Sequence, residues 1–329
     1  MSADSLYVVT GGAGFIGSNI AAALAAKGKR VVVVDWLEVG DKWRNLAPIR
    51  LHDVVRPDEF QAWLAANGDA VAAIIHMGAI SATTERDGDK LVRDNIRLSL
   101  DLWAWCAAAQ KPFIYASSAA TYGDGADGFD DDDSVEGLAR LKPLNGYGWS
   151  KHFVDQRIAR DVADGRPAPP AWAGLKFFNV YGPNEAHKGG MRSVALQLFE
   201  TVSAGGAVKL FRSHRPDYAD GGQLRDFVYV SDAVRVVEWM LEQPSLAGIY
   251  NLGTGRARTF MDLARAVFAA MGREPAVEFI DTPVSIRDRY QYFTQARMDR
   301  LRVAGCGLNF HSLEDGVADY WAQFRAQNG

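Results

Sequence analysis

Three residues of this chain form a set that can move a proton. Tyr147 and Lys151, in Tyr147-Gly148-Trp149-Ser150-Lys151, stand four apart and share one face of a helix. Ser118 lies upstream, at the end of the apolar run Lys111 to Ser117. A free phenol, with a pKa of ~10, is a poor base near neutrality. A neighbouring ammonium favours the phenolate. A shift of ~3 units needs ~4 kcal/mol of differential stabilisation, which buried charges at short range can supply. Such a phenolate takes the proton of a substrate hydroxyl whose oxygen the serine holds.

The residues Thr10-Gly11-Gly12-Ala13-Gly14-Phe15-Ile16-Gly17 suggest what takes the other half of that bond. Gly11, Gly14 and Gly17 are spaced G-x-x-G-x-x-G between a short apolar run (Leu6 to Thr10) and an alanine-rich stretch (Gly17 to Ala26). One glycine permits a sharp turn, one lets backbone approach a pyrophosphate, and one lets the helix pack on the sheet. The helix N-terminus then faces the phosphates with free N–H groups. Asp35, closing Arg30 to Asp35, is placed to accept from the adenosine ribose hydroxyls. The site therefore reads as a nicotinamide dinucleotide site, with hydride leaving the carbon whose hydroxyl Tyr147 deprotonates. Asp35 alone favours NAD, but Lys42, Arg44 and Arg56 follow it and can neutralise a 2′-phosphate. NADP is the expected cofactor, with NAD as the alternative. Asp53 is expected after the third strand, near the adenine. His76-Met77-Gly78-Ala79 should border the diphosphate and ribose through backbone, with His76 itself structural.

These groups need a scaffold that alternates strands and helices. Arg30 to Asp35, Ala70 to His76, Lys111 to Ser117 and Ala173 to Val180 are short, largely apolar runs, as in parallel strands buried on both faces. Lys90 to Ala109 is a long helix candidate. The fold class is α/β: a doubly wound parallel Rossmann sheet with a smaller α/β substrate-binding domain. Residues 1–178, with returning segments about 226–255 and 290–300, should hold the cofactor. The remainder of 179–329 should bind substrate.

Composition narrows the partners. Lys+Arg is 36 against Asp+Glu 40, so there is no basic surplus for nucleic acid or an anionic membrane. No run is long enough to span a bilayer, and the start MSADSLYVVT lacks the features of a signal peptide. A cytoplasmic protein with a small-molecule substrate is expected. Cys106 and Cys306 read as buried thiols. The run Asp130–Asp133 reads as a solvated surface loop rather than a metal site, and no metal is expected.

The chain resembles the extended short-chain dehydrogenase/reductase superfamily over nearly its whole length. TGGAGFIGSN, His76 to Ala79, SSAATYG from Ser117, Tyr147 with Lys151, FFNVYGP from Phe177, RDFVYV and NLGTG carry that resemblance. SATTE from Ser81, the stretch Phe177 to Lys188 and RYQYFTQ from Arg289 are similar to its heptose-epimerase branch. That likeness implies epimerisation of ADP-D-glycero-β-D-manno-heptose to the L-glycero form, for lipopolysaccharide core-heptose supply. It proceeds by oxidation at C6″ and re-reduction on the opposite face.

The resemblance also implies roles. Tyr147 and Lys188 become the two acid/base groups. Phe15, Ile16, Trp36, Met77, Gly78, Ala79, Ile80, Ser81, Asn95, Val180 and Lys188 join the cofactor contacts. Asn179, Gly190, Gln197, Phe211, Arg225 and Tyr290 join Ser118 as substrate contacts, Arg225 as the diphosphate clamp. A homo-oligomer, a pentamer in that branch, is implied as well. There are departures: Met77 replaces a common acid, Gly190 a common serine, and Phe211 to Leu224 is longer than usual. Rival readings are a UDP-hexose 4-epimerase, which would not need Lys188 as a base, and a non-catalytic NAD(P)-binding protein of the same fold. A 4,6-dehydratase would need an acid/base pair where Ala119-Ala120 stands.

Overall fold

The computed structural model describes residues 5–287 and 290–328. The short apolar runs form the strands of the main sheet, most of them buried on both faces. These are β1 (Leu6–Thr10), β2 (Arg30–Val34), β3 (Asp53–Val55), β4 (Val71–His76), β5 (Phe113–Ser118) and β6 (Trp172–Phe177). Beyond them come β7 (Asn179–Tyr181), β8 (Val208–Phe211), β9 (Leu224–Arg225), β10 (Phe227–Tyr229), β11 (Ala247–Leu252), β12 (Arg258–Thr259) and β13 (Val277–Ile280). A seven-stranded sheet has the order β11-β6-β5-β4-β1-β2-β3, with every described pairing parallel. The order reverses beside β1, so a crevice opens there at the C-terminal strand ends. Two apolar cores lie against the sheet. A third, built from Leu196, Phe199, Leu210, Tyr229, Leu263, Val267 and Tyr320 among others, forms the smaller lobe. No helix among the described residues is long and apolar enough to cross a membrane.

The helices that matter for the site are α1 (Phe15–Ala26), α2 (Phe60–Asn67), α3 (Gly88–Leu91), α4 (Leu98–Ala109), α5 (Val135–Arg140) and α6 (Gly146–Ala163). The expected helix over Lys90 to Ala109 is interrupted. Residues Val92–Arg97 widen into a π-helical turn between α3 and α4, a distortion frequent at functional sites. The expected strand Ala173 to Val180 also divides. The chain leaves the main sheet at Phe178, whose N–H still donates to Leu252 O (3.0 Å), and β7 pairs with β10 instead. Asp53 opens β3 rather than following it. Its carboxylate, on the edge strand of the sheet, accepts from Val54 N and Trp63 Nε1.

The acid run departs most from expectation. Asp131 is 3% exposed, and its Oδ2 accepts the Asn251 N–H at 2.9 Å. Asp133 Oδ2 accepts the Ile249 N–H at 3.0 Å and an Arg300 N–H at 2.5 Å. Asp130 and Asp132 pair outward with Arg297 and Arg140. Alternate carboxylates thus satisfy alternate N–H groups of β11, which is the sheet's edge strand. The run is an edge cap, not a solvated loop.

Candidate active site

At the end of β1 the backbone turns through Gly11, with φ +64°, where a Cβ would come within 2.5 Å of Gly78 N. The glycine turn therefore lies directly on the turn after β4. Gly78 N–H donates to Thr10 Oγ1 (3.3 Å) and Met77 N–H to Thr10 O (3.0 Å). Gly14 is the N-cap of α1 and offers no side chain to it, and the first turn holds no acid. Free N–H groups are left for an anion, and Asp35 stands beside the turn, bonded to Ala13 N. The residues fit a dinucleotide.

Asp35 is committed on both oxygens. Oδ2 accepts from Ala13 N (2.9 Å) and Oδ1 from Lys42 Nζ (2.7 Å). Arg56 makes two hydrogen bonds to the Asp58 carboxylate and lies over the Trp36 ring at 5.3 Å. Arg44 pairs with Asp41. Of the three cations expected around Asp35, Lys42 is the one that touches it.

His76 is fully buried and structural. Ser99 donates its hydroxyl to Asn95 O (2.5 Å), so His76 Nε2 donates to Ser99 (2.9 Å) and Nδ1 accepts from Thr10 Oγ1 (2.6 Å). Burial first, then the Lys151 charge, lowers its pKa to about 3. Asn95 sits in the π-helical turn. Its oxygen accepts from Ile80 N (2.8 Å) and its amide donates to Ile80 O (3.0 Å) and Ser150 Oγ (2.9 Å). Both amide hydrogens are spent on protein. Asn95 therefore shapes the Ile80–Ser81 lip and ties it to α6.

The catalytic set assembles at the C-terminal end of β5. Tyr147, half-buried at the start of α6, stands beside Ser118, whose side chain acts to lower its pKa. Asn145 caps α6 by accepting from Gly148 N (2.8 Å). Gly148 allows the close approach, since a Cβ there would meet Ala120 O at 2.7 Å. Burial outweighs this and raises the Tyr147 pKa above its ordinary value. Lys151 is 2% exposed, and burial lowers its pKa to about 8.

Lys188 reaches the same crevice from another element, the turn Ala186–Met191. Its Nζ lies 5.3 Å from the Phe15 ring centroid, over the first turn of α1. Burial lowers its pKa, partly offset by Glu185. The turn is hung on the cofactor elements. Asn19 donates to Pro183 O (3.0 Å), Asn184 to Ser18 Oγ (3.1 Å) and Asn45 to Ala13 O (2.9 Å) and Asn184 O (3.1 Å). Neither Asn19 nor Asn45 was expected from the sequence. The Asn45 position, three residues after Lys42, carries no motif that could reveal it.

In the smaller lobe, Arg225 lies between the rings of Phe260 and Tyr290, each centroid at 5.5 Å, and forms no ion pair with a described carboxylate. Phe211 stands edge-on to Tyr290 at 5.8 Å. Asn179, exposed at the start of β7, is one backbone hydrogen bond from Asp226. These residues form one wall that presents a guanidinium without a counter-charge. Val180 pairs with Val228 behind it. Gln197 is exposed and donates to Arg192 O (3.0 Å), and Gly190 is exposed in the Lys188 turn. Neither shows a contact with the Arg225 wall. Asp226, which the sequence did not single out, organises this region by accepting from Thr254, Gly255 and Ala296 N–H groups. The pairing of RDFVYV with NLGTG was its visible signal. Tyr290 to Gln295 then straps the lobes together, with Gln291 donating to Gly123 O (3.1 Å) and Tyr292 accepting from His214 N (2.8 Å). Arg289, the first residue of that stretch, lies outside the described residues.

A model of the NAD dependent epimerase/dehydratase family matches residues 7–253. The chain belongs to that family. A relative from Nitratidesulfovibrio vulgaris (strain DP4), ADP-L-glycero-D-manno-heptose-6-epimerase, is 51% identical over 326 residues, covering 98% of each chain. The crystal structure of Helicobacter pylori ADP-L-glycero-D-manno-heptose-6-epimerase matches with TM-score 0.80 at 26% identity, over 98% of this chain and 96% of that one. The UDP-glucose 4-epimerase of Thermus thermophilus, solved as a complex with NAD, matches with TM-score 0.75 at 26% identity over 97% and 99%.

Proposed function

We propose that this protein is an ADP-heptose 6-epimerase that converts ADP-D-glycero-β-D-manno-heptose to ADP-L-glycero-β-D-manno-heptose. The observation that carries the reading is two proton-carrying side chains on separate elements about one dinucleotide crevice: Tyr147 beside Ser118, and Lys188 over Phe15. A reaction that removes and returns hydride on opposite faces puts the C6″ oxygen in two places, and each needs a group within hydrogen-bond reach. The solved heptose and hexose epimerases resemble the chain about equally, so the fold does not separate them. The full-length 51% identity supports the heptose reading.

The dinucleotide, when bound, accepts the C6″ hydride and gives it back. Everything else falls to the chain. Ser118 holds the C6″ oxygen beside Tyr147. Tyr147, as phenolate, takes the hydroxyl proton, and Lys151 supplies the positive charge that favours that state. Arg225, free of a counter-charge and held by two rings, grips the diphosphate. The ketone turns about that grip. Lys188 gives its proton to the C6″ oxygen on the other face as hydride returns. NADP is the preferred cofactor in this reading, because Lys42 already neutralises Asp35 and can supply a cation for a 2′-phosphate.

Incubation with ADP-D-glycero-β-D-manno-heptose, followed by epimer analysis, tests the reading. The L-glycero epimer is expected, and UDP-galactose is expected to stay unchanged. Turnover of UDP-galactose alone would replace the heptose reading with the 4-epimerase. Titration of the cofactor-free protein with both dinucleotides tests the second point. A preference for NAD+ that persists in Lys42→Ala would show that Asp35 governs the pocket.

A further inference from the structure

The catalytic helix rests on a buried charge pair to which the reaction above gives no task. Asp155 follows Lys151 by one turn and Tyr147 by two, on the same face of α6. Its side chain is 0% exposed and that of its partner Lys176, on β6, is 1% exposed, with Nζ and Oδ2 at 2.7 Å. Asp155 also accepts from Ser117 Oγ (2.7 Å) and Tyr115 OH (3.0 Å), both on β5. Lys176 also donates to Thr121 Oγ1 (2.7 Å) and lies over the Tyr122 ring at 5.1 Å. Thr121 in turn donates to Ser118 O (2.9 Å). The pair therefore bolts α6 to the strand and turn on both sides of Ser118.

Holding a helix on a sheet does not require charge. Replacing a buried ion pair by apolar residues of like volume is often neutral or stabilising. What apolar residues do not supply is a field. We propose that Asp155 and Lys176 are positioning residues of the catalytic set, and that their balanced charges govern the pH at which Tyr147 gives up its proton. The proposal rests on Tyr147 being the acid/base group. Several groups share that field. Tyr147, Lys151 and His152 face the pair from α6, Tyr115 from β5, and Tyr122 from the turn. Asp131 and Asp133 act on those two tyrosines from the acid run. The Asp155 charge alone favours ammonium at Lys151 and disfavours phenolate at Tyr147. The opposite charge of Lys176, 2.7 Å from Asp155, would act against both effects.

The test measures the pH midpoint of Tyr147 in two ways on the NADP+-loaded protein. One is the acid limb of kcat/KM. The other is tyrosinate absorbance, taken as the difference from Tyr147→Phe. Asp155→Asn keeps the shape and leaves the Lys176 charge uncompensated, so the midpoint should fall by about one pH unit, a tenfold gain in phenolate below it. The double variant Asp155→Asn/Lys176→Met removes both charges and should return the midpoint to its wild-type place. A purely structural role predicts no such reversal. A midpoint that stays put in Asp155→Asn, or that the double variant does not restore, overturns the proposal. Should Asp155→Asn fail to fold, Lys176→Arg gives the reading, since it keeps the charge and alters the reach. It should lower kcat at an unchanged midpoint, and a moved midpoint with kcat intact overturns the proposal. If instead Tyr147→Phe keeps normal turnover, the reading of Tyr147 itself has failed, a result independent of either charge variant.

Discussion

At the scale of single residues, the site sets two half-buried proton carriers, Tyr147 and Lys188, against opposite demands. Burial raises the Tyr147 pKa and lowers those of Lys151 and Lys188. All three shifts disfavour the charged forms, because the crevice excludes water. The sequence predicts a depressed phenol from Lys151 together with a cationic nicotinamide, and in the protein alone burial raises the pKa instead. The positive ring of the dinucleotide must supply that part of the field. Tyr147→Phe keeps the ring and should fold and bind cofactor, yet lose turnover by about 10²–10⁴-fold. Retained turnover in a steady-state assay would remove Tyr147 from its role. Lys151 is charged only below its pKa of about 8. Turnover should therefore fall as pH rises through that value, and Lys151→Arg, which stays charged, should flatten that limb. Lys188→Met should still bind ADP-heptose and NADP+ but not epimerise. In single-turnover reduction of bound NADP+, Tyr147→Phe and Lys188→Met should each impair hydride removal from a different epimer. Equal impairment of both epimers by Tyr147→Phe, with none from Lys188→Met, would make this a one-base enzyme.

At the scale of elements, the positions of Ser118, Tyr147 and Lys188 depend on carboxylates and amides far away in sequence. The edge cap on β11 is the clearest instance. Asp131→Ala leaves the Asn251 N–H without its acceptor in a buried place, a loss of about 1–3 kcal/mol. Urea unfolding should show it as a lower midpoint at unchanged slope, whereas a midpoint within error of wild type would return the run to solvated loop. Such features also mark the limit of what the sequence discloses. The strands of the main sheet were legible because burial on both faces writes them as short apolar runs. The glycine turn and the Tyr147–Lys151 pair were legible because their spacing is local. The tasks of Asp131 and Asp155 were not, since each acts on a partner well away in sequence. The widened turn at Val92–Arg97 leaves no mark in the apolar pattern, and the break at Phe178 depends on a partner strand, β10, that comes much later. Arg225 and Tyr290 entered the expected site through family likeness alone.

At the scale of the whole molecule, one buried polar chain links the cofactor turn to the catalytic helix. It runs from Thr10 through His76, Ser99 and Asn95 to Ser150, whose hydroxyl donates to Tyr147 O (2.7 Å). His76 makes this chain sensitive to acid. Its folded pKa is about 3 against an ordinary 6.5. Between those values the unfolded chain takes up a proton that the folded protein refuses, so stability falls as pH drops through the window. The slope from this one group approaches ~1.4 kcal/mol per pH unit. His76→Gln cannot take up that proton. It should be less stable at neutral pH, having lost its stacking on Phe113, but its stability should fall less steeply between pH 6.5 and 3. Chemical unfolding at a series of pH values measures both quantities. A slope equal to wild type would mean that other groups set the acid response. Cofactor adds a second handle, because only the folded crevice binds it. At a hundredfold excess over Kd the gain is about 2.7 kcal/mol. NADP+ should therefore add a similar free energy in wild type and in His76→Gln, and move the acid midpoint further in the mutant, whose slope is shallower. A cofactor effect that disappears in His76→Gln would mean that the histidine chain itself carries dinucleotide binding.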